Sequence, residues 1–86
     1  MKAIIPNICI RGREVRENKK GGKYLLVRFE DESGAAYHLV DKEMDREKFY
    51  VRDAVGNLVI DIISGRDRAG NNYTNIRIID FKTEVR

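Results

Sequence analysis

Tyr24, Leu26 and Arg28 stand at alternate positions and combine an aromatic ring, an apolar surface and a cation, and a dense basic stretch runs up to them. Such a set is suited to stacking a nucleobase and neutralising the phosphates beside it. An aromatic face accepts any base, and each stacked base is worth ~1–3 kcal/mol. Arg13, Arg16, Lys19, Lys20 and Lys23 add cations whose contribution to holding a polyanion falls as salt rises. Farther along, Arg66 and Arg68 precede Tyr73 and repeat the pairing of cation with ring. Each of these residues also has a purely structural reading. Tyr24 and Leu26 could cover an end of the fold or meet a second copy, the lysines could simply solubilise a loop, and Tyr73 could pin its hairpin. Tyr37 stands evenly between the two readings.

Other chemistry finds little support. His38 is the only histidine and Cys9 the only cysteine, which rules out an internal disulfide and leaves no His or Cys set with zinc-ligand spacing. Cys9 lies between Ile8 and Ile10 and reads as a small packed hydrophobe. Ser33 and Ser64 sit in turn-like contexts with no base beside them, and Gly21-Gly22 lacks the spacing of a phosphate loop. The expectation is a protein that is not an enzyme and carries neither cofactor nor metal.

The 86 residues carry a net charge of only +3, but the charge is segregated. Residues 1–28 hold eight basic side chains against Glu14 and Glu17, residues 29–61 hold nine acidic against four basic, and residues 62–86 return to five basic against three acidic. Segregation of this kind implies one positive face able to follow a phosphate backbone. The ordinary alternative is solvated turns that keep a β-protein soluble and guard its edges. No apolar run is long enough to cross a bilayer and no export leader is visible, so a cytoplasmic protein of one domain over residues 1–86 is expected, with no membrane partner.

Five segments of strand length are separated by turn-forming clusters, an all-β signature. The first spans residues 3–17, anchored by Ile4, Ile8, Ile10 and Val15, with Pro6 and Gly12 marking a bulge or bend. Residues 18–22 form a flexible hairpin loop. In the second strand, residues 23–30, Leu25, Val27 and Phe29 fall on one face and Tyr24, Leu26, Arg28 and Glu30 on the other. After a tight turn at 31–34, residues 35–40 form the third strand, with Tyr37 and Leu39 on one face and His38 and Val40 on the other. The charged stretch 41–53 admits a short helix near 41–48, capped by Asp41 with Met44 turned inward, or an irregular strand at Phe49, Tyr50 and Val51. Val55-Gly56-Asn57 turns the chain into a fourth strand at 58–64, and a hydrophilic tip at 65–72 leads to the fifth at 73–81. There Ile76, Ile78, Ile79 and Phe81 imply burial on both faces or a switch of face at a bulge. Residues 82–86 read as a frayed tail. The count and spacing predict a five-stranded Greek-key OB-fold barrel with a short helix between strands 3 and 4, an SH3-like or Sm-like barrel being the competitor.

The run Lys19-Lys20-Gly21-Gly22-Lys23-Tyr24-Leu25-Leu26, the segment Tyr37-His38-Leu39-Val40-Asp41-Lys42 and the hairpin ending in Tyr73 together resemble the filamentous-phage gene V single-stranded DNA-binding proteins. The resemblance covers nearly the whole chain. It implies a dimeric OB-fold that coats single-stranded replication intermediates cooperatively, with Lys23, Tyr24 and Leu26 on a DNA-binding wing, Tyr37 and Lys42 on the next strand, and Tyr73 at a hairpin tip. The chain departs from that pattern in lacking the proline before the wing tyrosine, in a shorter second strand, and in a charged connector at 42–52. The function expected is therefore sequence-independent binding of single-stranded DNA in phage, plasmid or mobile-element replication, by a homodimer. RNA binding in the manner of a cold-shock-type barrel, or a small barrel serving as a protein-interaction module, is the alternative.

Overall fold

The computed structural model describes residues 1–83. Its strands are β1 (Lys2–Glu17), β2 (Lys23–Glu30), β3 (Ala36–Asp41), β4 (Val55–Arg66) and β5 (Asn72–Thr83), with one 3-10 helix, η1 (Met44–Phe49), between β3 and β4. They close into a barrel in the order β1-β2-β3-β5-β4, every neighbouring pair antiparallel except β3 with β5. This is the five-stranded Greek-key OB arrangement expected from the strand count and spacing, and the strand order sets it apart from the SH3-like and Sm-like alternatives.

Side-chain alternation places the core. Leu25, Val27 and Phe29 of β2 are buried as expected, and meet Ile8, Ile10, Leu58, Ile60, Ile78 and Phe81 inside. The long first strand reaches around the barrel because it breaks phase twice. Its register slips by one residue between Ile5 and Ile8, where Asn7 has a φ of 52°, and again between Ile10 and Gly12. Each extra residue moves the following side chains to the opposite face. Two expected anchors are therefore corrected. Ile4 is 63% exposed while Ala3 and Ile5 pack inward, and Val15 is 45% exposed because its part of the hairpin lies beyond the core. A third slip, between Val59 and Ile60, leaves Ile79 as the extra residue of β5, so that Ile78 and Phe81 both point in. That is the switch of face expected there.

The three hairpin loops share one construction. Asn18, Asp31 and Asp67 each accept two backbone amides through the side-chain Oδ1, and the residues three positions on, Gly21, Gly34 and Gly70, have φ near +84° (83°, 85° and 84°). In each, the first residue's N–H donates to the carbonyl four residues later, as from Asn18 to Gly22 at 2.8 Å. A type I turn closed by a residue in the left-handed region fits the twist of the strands, and glycine alone occupies that region without strain. The loop at 18–22, expected to be flexible, is thus tightly hydrogen-bonded.

Gly56 is not a turn residue as expected but lies buried inside β4. A Cβ there would come within 2.3 Å of the Lys82 carbonyl, so glycine allows β4 and β5 to approach. The turn into β4 comes earlier, at residues 51–54, where Asp53 has a φ of 69° and its amide donates to the Ile10 carbonyl at 2.8 Å. Lys82 and Thr83, expected in a frayed tail, pair with Asn57 and Gly56, and the rest of that tail lies outside the described residues. The tip expected at 65–72 shrinks to 67–71, because both strands run on as a two-stranded arm; the molecule measures 48 Å by 29 Å by 19 Å.

Asp41 does not cap η1. It is fully buried at the end of β3, where its Oδ2 accepts from Arg46 Nε at 2.6 Å and from the Tyr50 hydroxyl, and its Oδ1 accepts from Arg46 Nη2 at 2.8 Å and the Glu43 amide at 2.9 Å. Neither does 49–51 form a strand. Tyr50 is a core residue with its ring 5.4 Å from that of Phe81, while Met44 packs inward as expected. Burial first, then the bond to Asp41, pushes the Tyr50 phenol far above its ordinary value. A buried ion pair that loses one member leaves an uncompensated charge. Arg46→Met should therefore lower stability by about 3 kcal/mol in urea denaturation, whereas Asp41→Leu/Arg46→Met should cost clearly less than the single change. Because the folded-state value of Tyr50 is raised, its contribution is complete below about pH 10, the unfolded value, and is lost as pH rises further. Urea midpoints followed from pH 9 to 11.5 should fall more steeply for the wild type than for Tyr50→Phe.

Candidate nucleic-acid interface

Cross-strand register sorts the candidate residues by face. Tyr24 pairs with Arg16, Leu26 with Glu14 and Val40, and Arg28 with Gly12 and His38. Directly opposed residues of an antiparallel pair project to one side, so these form a continuous outer surface over β1, β2 and β3. The parallel pairing of Val40 with Arg77 extends it onto β5, where alternation puts Tyr73 and Asn75 on the same side as Arg77. Tyr24 and Leu26 are half-buried and Arg28 is exposed. At one end of this surface a shallow hollow of about 340 Å³ is bordered by Asn18, Lys23, Tyr24, Val40 and Lys42, which unites two strands with the loop at 18–22. Lys19 and Lys20 occupy the exposed tip of that loop, and its hydrogen bonds hold them at the rim.

The cations differ in how far they are already engaged. Glu14 lies in the middle of the surface, with Oε2 at 3.2 Å from Arg16 and 3.3 Å from Arg28. Exposed pairs of this kind are worth ~0–1 kcal/mol, so a phosphate can displace the carboxylate at small cost. Lys19, Lys20, Lys23, Lys42, Arg66 and Arg68 have no ion-pair partner among the described residues.

Three candidates are not brought to this surface: Arg13, Tyr37, and Arg66, which pairs with Asn72 and so alternates with Tyr73. Arg13 follows the second phase break of β1, so it pairs with Val27 on the core side, donates to the Tyr50 carbonyl at 3.0 Å and contacts Glu47 at 3.4 Å. It ties η1 to the barrel. Tyr37 pairs with Phe29, also on the core side, and stacks on that ring at 5.6 Å with its hydroxyl donating to Asp31 at 3.1 Å. That bond and the nearby carboxylate raise the Tyr37 phenol above its ordinary value. Arg66, Arg68 and Tyr73 belong to the β4–β5 arm. The parallel course of β3 and β5 sets that arm at the far end of β3 from the loop at 18–22, so the two basic loops bound the surface from opposite ends.

His38, Val40 and Arg77 also lie on this outer surface, and the sequence reading did not assign them to it. For His38 and Val40 the signal was present, since both alternate with Tyr37 and Leu39, but which of the two sets shared the face of Tyr24 depends on the register of β2 with β3. Nothing in the sequence marks Arg77, which arrives through the non-local pairing of β3 with β5. No family model, curated protein or solved structure matches the chain.

Tyr73 has a second contact that bears on its role. It pairs with Gly65, and a Cβ on that glycine would come within 2.6 Å of the Tyr73 hydroxyl and 2.8 Å of the ring, so the ring lies across the glycine while Tyr73 remains 43% exposed. An aromatic laid over a cross-strand glycine replaces the packing that the glycine lacks. The Gly65 α-protons should show ring-current shifts in a proton NMR spectrum, and Tyr73→Leu should abolish them while the other loop glycines keep their positions.

Proposed function

We propose that this protein binds single-stranded nucleic acid across the outer face of β1, β2 and β3, with single-stranded DNA as the ligand and little sequence preference. The observation that carries the reading is the meeting of Tyr24, Leu26, Arg28 and Lys42 on one surface beside the loop bearing Lys19 and Lys20. OB barrels bind oligonucleotides on the face of strands 2 and 3 between the loops joining strands 1–2 and 4–5. Here both of those loops are basic and bound the face from its two ends, which suits a phosphate chain running between them. Tyr24 offers a ring for stacking, Leu26 and Val40 an apolar floor, and the lysines neutralise phosphates. The reading gives the chain a non-enzymatic role, coating or protecting DNA intermediates of phage, plasmid or mobile-element replication, and the resemblance to gene V type proteins supports DNA over RNA. A homodimer suits so short a surface, because a second copy raises the effective concentration of sites along one strand.

Four lysines at ~0.7 counterions each give an expected salt slope of about −3 for oligo-dT binding. Fluorescence anisotropy at several salt concentrations measures it, and binding insensitive to salt would favour a protein-interaction module instead. In the same assay Tyr24→Ala should weaken binding about ten-fold, the loss of one stacked base, with little change in the thermal midpoint. Glu14→Gln releases Arg16 and Arg28 and should tighten binding about three-fold with a steeper salt slope. Weaker binding by Glu14→Gln would mean that Arg16 and Arg28 do not reach phosphates.

A further inference from the structure

β3 and β5 pair only at Val40 with Arg77 and Asp41 with Ile78. Toward the start of both strands they diverge, and a cleft of about 500 Å³ opens between them. Four consecutive residues of β3, 36–39, border this cleft. Alternate side chains of a strand point to opposite faces, so a run of four neighbours means that the strand presents its edge, backbone included. The opposite wall and floor are apolar, formed by Ile5, Phe29, Ile60 and Ile76. Ile76 is 42% exposed and Tyr37 49%, large apolar surfaces that nothing among the described residues covers.

Among the residues that line the cleft, Asp31 is the carboxylate, and none is Lys or Arg. Asp31 lines the cleft; its Oδ1 is saturated by Ser33 and the Ala35 amide, whereas its Oδ2 receives only the Tyr37 hydroxyl and has capacity for a further donor. The hydrogen bond from the Ser33 hydroxyl, ahead of the other donors, holds its carboxyl below the usual carboxylate range, so it stays ionised at neutral pH. Glu32 stands exposed at the adjacent loop tip, its Oε1 accepting from Asn7 Nδ2 and its Oε2 open among the described residues, where the equivalent positions of the other two hairpins carry Lys19 and Arg68. The lysine-rich hollow lies at the opposite end of β3, beside Val40 and Lys42.

We propose that this cleft is a docking site for an extended peptide with alternating apolar and basic residues, which adds as a strand to the open edge of β3. The edge supplies backbone hydrogen bonds, the apolar floor receives every second side chain, and Asp31 with Glu32 receives the cations that alternate with them. A binding domain with such a site can recruit another protein while its outer face is occupied.

The test uses the whole protein, labelled with 15N, and a blocked octapeptide alternating valine with lysine, beside a counterpart alternating valine with glutamate. The lysine peptide should shift the amide signals of residues 36–39 and slow their exchange, the glutamate peptide should bind about ten-fold more weakly or less, and saturating oligo-dT should leave the peptide in place. Asp31→Asn keeps an acceptor for the turn and should weaken the lysine peptide several-fold. Shifts confined to other residues, equal binding of the two peptides, or release of the peptide by oligo-dT would overturn the proposal. So would protection of these amides that rises with protein concentration without peptide, which would assign the cleft to a second copy of the chain.

Discussion

Asp41 carries a charge into the barrel interior, and much of the architecture follows from satisfying it. Its carboxylate has no solvent exposure, a situation that costs several kcal/mol per ion unless donors surround it. The donors are Arg46, the Tyr50 hydroxyl and the Glu43 amide, all from the segment that follows β3. That segment must therefore fold back as η1 and place the Tyr50 ring against Phe81, which fills the base of the barrel. Arg13, bonded to the Tyr50 carbonyl, fastens the same segment to β1. A hydrophobic set of equal volume could stabilise a core as well; the ionic set adds directionality. Asp41 also stands between Val40 and Lys42, so the interaction that anchors the core turns those two neighbours outward, beside Leu26 and Tyr24.

Phase is the second constraint. With period-two alternation, a single extra residue decides whether a side chain faces core or solvent, and the barrel uses three such slips. The one after Ile10 sends Arg13 to the core side and leaves Glu14 and Arg16 on the proposed nucleic-acid face. The slip near Ile60 lets β5 bury both Ile78 and Phe81 while Arg77 meets Val40 on the outside. These slips are how 86 residues supply both a closed core and an outer surface with mixed aromatic, apolar and basic character.

Charge then divides the surface. One loop construction appears three times, with different side chains at its tip: Lys19 and Lys20 after β1, Glu32 and Ser33 after β2, Arg68 and Ala69 after β4. The backbone frame is constant, so the tips tune the local potential without altering the fold. Their signs suit a polyanion across the outer strands and a cationic chain in the cleft beside β3, two sites that need not compete.

Local patterning alone determined the strand count, the buried face of β2, the bulge positions near Pro6 and Gly12, and the three hairpin loops, because alternation and Asx-x-x-Gly loops depend only on neighbours in the chain. The outward set of Tyr24, Leu26 and Arg28 was legible for the same reason. Where the reading failed, the cause was non-local. The alternation makes Ile4 a core anchor, but the slip before Ile8 reverses its face; Gly56 reads as a turn because its close approach to Lys82 involves a strand 26 residues away; and Asp41 reads as a helix cap and Tyr50 as part of an irregular strand. Their burial depends on each other and on Arg46. Tyr37 and Arg13 resemble the site residues in type, but register set them on the other side of the sheet. His38, Val40 and Arg77 joined the outer face through strand pairing that no local pattern encodes. The sequence by itself determined which side chains alternate together; only closure of the barrel decided which of those alternating sets meet.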